Sequence, residues 1–291
     1  MELIRLADIP EALWKDVARF ISDFLVGFVT FNTAERNASI GGSGTLVRIG
    51  GARGILTAGH VLASVRQQKR IGLVLGTRRD EFLHRYELDT ETLRSLQLGD
   101  GGGGACGPDL GVLVLPEIDA STLETRNAFY NLDIHAEEAL TSPWELDHGA
   151  WFMSGFAEEF TMDLPRERDF DRVKGFRSSC CIGSGQSYRR TEQDLDYVDF
   201  EPAGGGAWGL PRHFGGFSGA GLWQVQIEQT ADGSLLPKER LLSGVAFYQS
   251  DQAVSGRSIT CHGRRSIYSA GVRLVRDASK SSLQPTAAGG G

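Results

Sequence analysis

The sequence predicts an all-β fold in two strand-rich halves, preceded by one amphipathic helix. Three observations predict it. Short apolar runs separated by glycine or polar turns begin at Leu25 (LVGFVTF, GTLVRIG, GILTAGHV, IGLVLGT, DLGVLVLP). They resume after a polar stretch as AWFMSGF, FRSSCCIG, YVDFEP, GLWQVQIE, LLSGVAFY and SIYSAGVRLV. In GLWQVQIE, Trp223, Val225 and Ile227 alternate with Gln224, Gln226 and Glu228, the period of a half-buried strand. Finally, 38 glycines in 291 residues exceed the usual share and call for many tight turns.

At the N-terminus, Asp8 and Glu11 have capping-box spacing and Pro10 falls in the first turn. Leu13, Trp14, Val17, Ile21, Phe24 and Leu25 then recur at helical intervals, which predicts a helix within residues 1–24 bracing the body of the protein. Residues 25–130 make the first strand-rich half and 131–278 the second. The polar segments EIDASTLETRN and HAEEALTSP mark the boundary between them. The glycine run GDGGGG at 99–104 and the tail over 279–291 have too little to bury and are expected to be disordered. Neither a lysine nor a helix follows that glycine run, so it is not a phosphate cradle.

Composition excludes several functions. With 30 basic against 37 acidic side chains, the net charge of −7 gives no electrostatic reason to expect nucleic acid or an anionic membrane as partner. The opening residues lack a basic stretch leading into an apolar run, and no uncharged apolar segment reaches membrane-spanning length, so a cytoplasmic protein is expected. Cys106, Cys180, Cys181 and Cys261 are few for a disulfide framework and lack CxxC spacing, which predicts reduced, buried thiols. Adjacent Cys180 and Cys181 should point to opposite faces of a strand. His84, His135 and His148 sit in polar surroundings and read as surface residues.

Hydrolysis by a serine needs a base, an acid that orients it, and donors for the developing oxyanion. GSGTLVRIGGARGILTAGHVL places His60 at a strand end, in a turn of small residues. Asp109 stands directly before the apolar run LGVLVL, where a carboxylate would be partly desolvated. HFGGFSGAGLW puts Ser218 in a glycine-flanked turn leading into a strand.

These residues resemble a family. GSGTLV, TAGH, DLGVLVL and GFSGAG are similar to the four signature blocks of trypsin-like serine peptidases, in the same order, across about residues 25 to 275. The resemblance implies two six-stranded antiparallel β-barrels of the chymotrypsin type, to which a short C-terminal helix could be added. His60 and Asp109 would lie in the first barrel and Ser218 in the second. It further implies His60 as general base, Asp109 as the group fixing its tautomer, Ser218 as nucleophile, and the N–H groups of Gly216 and Ser218 as the oxyanion hole, with no metal or cofactor. The substrate would be a protein or peptide, bound as an added strand along Ala246, Tyr248 and Gln249. Arg212 would occupy the base of the primary specificity pocket, with His213, His262 and Arg264–Arg265 nearby, favouring an acidic residue before the cleaved bond.

One departure stands out. Phe217 replaces the short polar residue, often aspartate, that the family places between the oxyanion glycine and the serine. In zymogen-type members that aspartate pairs with a newly cut N-terminus. Here the site is expected to be constitutively formed, or controlled by a regulatory protein partner or a mobile loop. Two other readings stay open: a silent, protease-like peptide-binding module, and an α/β-hydrolase using Ser218, Asp232 or Asp251, and His262. The second fits poorly, because position 220 is alanine and a strand pattern follows the serine where an elbow needs a helix.

Overall fold

The computed structural model describes residues 9–32, 37–76, 85–99, 104, 107–141, 149–164, 173–190, 195–205, 209–250 and 257–281. The protein is mostly β. The first half supplies β1 (Leu25–Asn32), β2 (Asn37–Ile49), β3 (Ala52–Thr57), β4 (Arg70–Leu75), β5 (Arg85–Asp89), β6 (Arg94–Leu98) and β7 (Leu110–Val114). These form one antiparallel sheet in the order β5-β4-β1-β2-β3-β7-β6, with β8 (Tyr130–Asn131) added parallel to β2. In the second half, β9 (Ala150–Phe156) is followed by a small β10 (Met162–Leu164) and β11 (Val173–Gly175) hairpin. There follow β12 (Ser178–Arg190), β13 (Asp196–Gly205), β14 (Gly221–Gln229), β15 (Leu235–Ser250) and β16 (Ser258–His262). Six of these close into a ring, β12-β13-β16-β15-β14-β9. A closed six-stranded barrel is therefore present in the second half, whereas the first-half strands form a path with two ends.

The structure holds more helix than the sequence predicts. Helix α1 (Glu11–Ser22) forms as expected, with Pro10 at its N-cap and no side-chain cap bond among the described residues. Asp8 lies outside the described residues. Leu13, Val17 and Ile21 are buried, and Trp14 packs edge-on against Phe152 of the barrel at 6.3 Å. Phe24 falls beyond the helix and stacks on Trp223 at 5.5 Å, so the stripe packs against the barrel.

Both polar boundary segments contain helices, α3 (Glu117–Glu124) and α4 (Leu132–Thr141). Arg53 of β3 pairs with Glu117 and Glu124, docking α3 while only Ala120 and Leu123 are buried from it. That ionic docking is why the segment shows little apolar periodicity.

The strand expected over SIYSAGVRLV is a correction. Ser266–Gly271 is a π-helical turn running into α5 (Val272–Ser281). The cause is a cap supplied from far away: the buried Asp196 carboxylate accepts from the N–H groups of Arg265 (2.9 Å) and Ser266 (2.6 Å). Ile267, Tyr268, Val272 and Val275 then face the core. A short C-terminal helix is present, and it takes in residues 279–281, which the sequence assigns to a disordered tail.

One apolar cluster crosses between the sheets. It joins Val47, Leu56 and Leu110 of the first to Phe152, Trp223, Val225 and Leu242 of the second, together with Leu13, Val17 and Ile21 of α1. Cys180 faces this cluster while Cys181 faces the barrel interior beside Phe200 and Cys261, the opposed orientation expected of neighbours on a strand. Cys180, Cys181 and Cys261 are free and buried, and desolvation pushes the Cys181 thiol up to about 12 and the other two well above their ordinary value. Cys106, His84, His148, most of the glycine run and the tail from residue 282 lie outside the described residues. His135 is half-buried rather than a surface residue, stacked on Tyr130 at 4.6 Å.

Among the described residues, no helix is long and apolar enough to cross a membrane.

Candidate active site

His60 does not end a strand. β3 stops at Thr57, and His60 is the second residue of the short helix α2 (Gly59–Val65). The start of α2 is fixed by Gln97 of β6, whose amide donates to Gly59 O at 2.6 Å. Asp109 lies immediately before β7, alongside. It grips His60 twice: Oδ1 accepts the His60 backbone N–H at 2.8 Å, and Oδ2 lies 2.6 Å from Nδ1. A carboxylate only accepts, so Nδ1 carries the proton and Nε2 is left as the basic nitrogen. Asp109 is 5% exposed, while the His60 side chain is 42% exposed. The carboxylate is thus buried while the imidazole is partly open to solvent.

Ser218 reaches the same junction from the barrel side, and Ser43 of β2 is the link. Its N–H donates to Ser218 O (2.7 Å), and its Oγ donates to Gly216 O (2.7 Å) and accepts from Phe156 N (2.9 Å). Its carbonyl in turn accepts from Thr57 Oγ1 at 2.6 Å, three residues before His60. A Cβ at Gly42 would lie 2.6 Å from Val61, the neighbour of His60, and 3.1 Å from Ser218 O. The two halves therefore meet with His60 and Ser218 on adjoining segments.

The turn around Ser218 is demanding. Gly216 and Gly219 both have φ of +88°, and a side chain on Gly219 would overlap Ser43 O and Thr57 Oγ1. The N–H groups of Phe217, Gly219 and Ala220 are spent on Phe214 O, Ala246 O and Phe217 O. Among the described residues, those of Gly216 and Ser218 have no assigned acceptor. Phe217 is 1% exposed and packs edge-on against Phe214 at 5.2 Å within the barrel core. Where an aspartate would need an ionic partner, this turn is anchored by an apolar ring.

The remaining predicted residues divide. Ala246 is buried and its N–H donates to Ala220 O, joining β15 to the Ser218 turn. β14 pairs with β15 only as far as Val245, whereas β16 pairs with it to Ser250. Tyr248 is 41% exposed, and the Gln249 side chain accepts from Phe214 N at 3.2 Å, tying β15 to the loop before Ser218. Arg212 differs from expectation. Its side chain is 86% exposed and lies against Glu159, so it faces solvent and does not floor a pocket. His262, grouped with that pocket on sequence, is fully buried behind Asp109. A strand, not a helix, follows Ser218, which removes the α/β-hydrolase elbow.

Sequence reasoning missed Ser43 and Thr57 as scaffolding, although both lie in blocks it singled out, GSGTLV and TAGH. It also missed Asp196 and the position of His262, for which no local signal exists.

No family model matches the chain, and no curated protein matches it. A solved structure described as "Aromatic interactions drive the coupled folding and binding of the intrinsically disordered Sesbania mosaic virus VPg protein" aligns with 91% of this chain and 92% of its own. The two are 12% identical with a TM-score of 0.41, a likeness that carries no argument about fold or function.

Proposed function

We propose that the protein is a serine endopeptidase of the trypsin-like type, its first sheet and its closed ring serving as the two barrels of a chymotrypsin-like fold. The observation that carries this reading is the doubly held His60–Asp109 pair, which leaves Nε2 unprotonated on a segment adjoining that of the Ser218 turn.

Ser218 Oγ attacks the peptide carbonyl as His60 Nε2 takes its proton, and Asp109 stabilises the imidazolium. The oxyanion is held by the N–H groups of Gly216 and Ser218. His60 then returns the proton to the leaving amine, giving an acyl-enzyme. Water, deprotonated by the same nitrogen, hydrolyses it and restores Ser218. The peptide lies along β15 at Ala246, Tyr248 and Gln249 as an added strand. The buried Phe217 supports a nucleophile turn formed without proteolytic activation. Such an enzyme in the cytoplasm calls for narrow specificity or a regulatory protein partner. Arg212, being exposed, is not assigned to its specificity.

The test is labelling with a fluorophosphonate probe, followed by a peptide-library cleavage profile. Covalent labelling and cleavage that vanish in Ser218→Ala support the proposal. A folded wild-type protein that neither labels nor cleaves overturns it in favour of a silent peptide-binding module.

A further inference from the structure

Asp109 is held from behind by a residue that the proposed triad does not contain. Its backbone N–H donates to His262 Nε2 at 2.9 Å. His262 closes β16, where its backbone pairs with Tyr197 and Val245, so it belongs to the ring that carries Ser218, while Asp109 enters the first sheet. The contact crosses between the halves.

The state of this ring follows from its bonds. Nε2 accepts, so the neutral imidazole carries its proton on Nδ1. That nitrogen is buried and has no hydrogen-bond partner among the described residues. The ring is packed against Phe247 at 4.6 Å and Tyr197 at 5.0 Å, surroundings that an apolar side chain would suit without leaving a polar atom unpartnered. Among the described residues, the ring's one hydrogen bond is to the Asp109 amide. Burial lowers the His262 pKa to about 4 against the opposing pull of Asp109 and Asp196, which keeps Nε2 unprotonated and accepting.

With Asp109 N–H bound to His262, and both carboxylate oxygens bound to His60, the acid is fixed at three points. Two of these set its relation to the base and the third sets its relation to the ring. Ser43 performs the matching task for Ser218, tying the ring's turn to β2.

We propose that His262 is a positioning residue, which registers the His60–Asp109 pair against the barrel bearing Ser218. Its effect on catalysis rests on the peptidase reading; its effect on His60 does not.

The experiment compares wild type with His262→Leu, which removes the acceptor, and His262→Gln, whose Oε1 can replace it. Two quantities are read: the downfield proton resonance of the His60 Nδ1–H, and kcat and KM separately. Expected are a weakened or lost resonance and a kcat lowered about 10–100-fold at similar KM in His262→Leu, with substantial recovery of both in His262→Gln. A His262→Leu protein that is folded and keeps the resonance and kcat within twofold overturns the proposal, as does a folded His262→Gln no better than His262→Leu. If wild type neither labels nor cleaves, the peptidase reading fails while the resonance still decides the positioning role. Should the variants not fold, long-range proton–nitrogen spectra of wild type decide. An unprotonated Nε2 in His262 supports the inference, and an Nε2–H tautomer overturns it.

Discussion

Replacing Ser43 by alanine removes a single oxygen from the junction between the two halves. That oxygen donates to Gly216 O at 2.7 Å and accepts from Phe156 N at 2.9 Å, in a residue with no exposed surface. Alanine fills nearly the same volume, so packing changes little and the cost is one of hydrogen bonding. Phe156 is 1% exposed, and its N–H, aimed at Oγ, loses that acceptor with no solvent to replace it. A buried donor stranded in this way costs about 1–3 kcal/mol. Gly216 is partly exposed, so its carbonyl can turn to water and only the net worth of a bond, about 1 kcal/mol, is lost. The sum is a destabilisation of about 2–4 kcal/mol. Urea denaturation read by tryptophan fluorescence measures it, and amide exchange at Phe156 should accelerate in parallel. Loss of the Gly216 tether should also slow fluorophosphonate labelling. A shift below about 0.5 kcal/mol with an unchanged slope and unchanged Phe156 exchange would refute the view of Ser43 as the link between the halves.

Three further outcomes are expected. Gly219→Ala forces a Cβ into Ser43 O and Thr57 Oγ1 at a φ of +88°, and should cost about 3 kcal/mol or more, seen as a lowered thermal midpoint and lost labelling. Phe217→Ala should lose about 3–5 kcal/mol by emptying a buried ring site beside Phe214, whereas Phe217→Leu should retain most of the stability. Burial depresses the His262 pKa to about 4, so between pH 6.5 and 4 the unfolded chain binds a proton that the native state does not. Stability is complete above about 6.5 and falls with pH by about 3 kcal/mol across that window, a component that urea titrations should find missing in His262→Gln.

The readable part of the candidate site is local. TAGH, the aspartate before LGVLVL and the serine within GFSGAG each occupy a short segment whose glycines and flanking strands restrict the backbone. The structure brings His60 and Asp109 into contact at 2.6 Å, as that reading required. Helix α1 and the alternating strand β14 were legible for the same reason, since their periodicity is complete within one segment. The direction of Arg212 is not carried by the sequence, because a loop side chain's direction is set by what lies opposite it, here Glu159.

The sequence by itself marked most of the strands, singled out His60, Asp109 and Ser218 as a candidate set, and placed an apolar residue beside Ser218. Only the tertiary structure decided that SIYSAGVRLV coils into a helix, capped by Asp196 some 70 residues upstream. Only it revealed that Ser43 clasps the Ser218 turn, and that His262 stands behind Asp109 across a separation of 153 residues. The physical reason is the same in each case. A periodic pattern records which face of an element is apolar, while caps, cross-sheet hydrogen bonds and buried polar partners exist only once distant segments are brought together, and no local pattern carries their pairing.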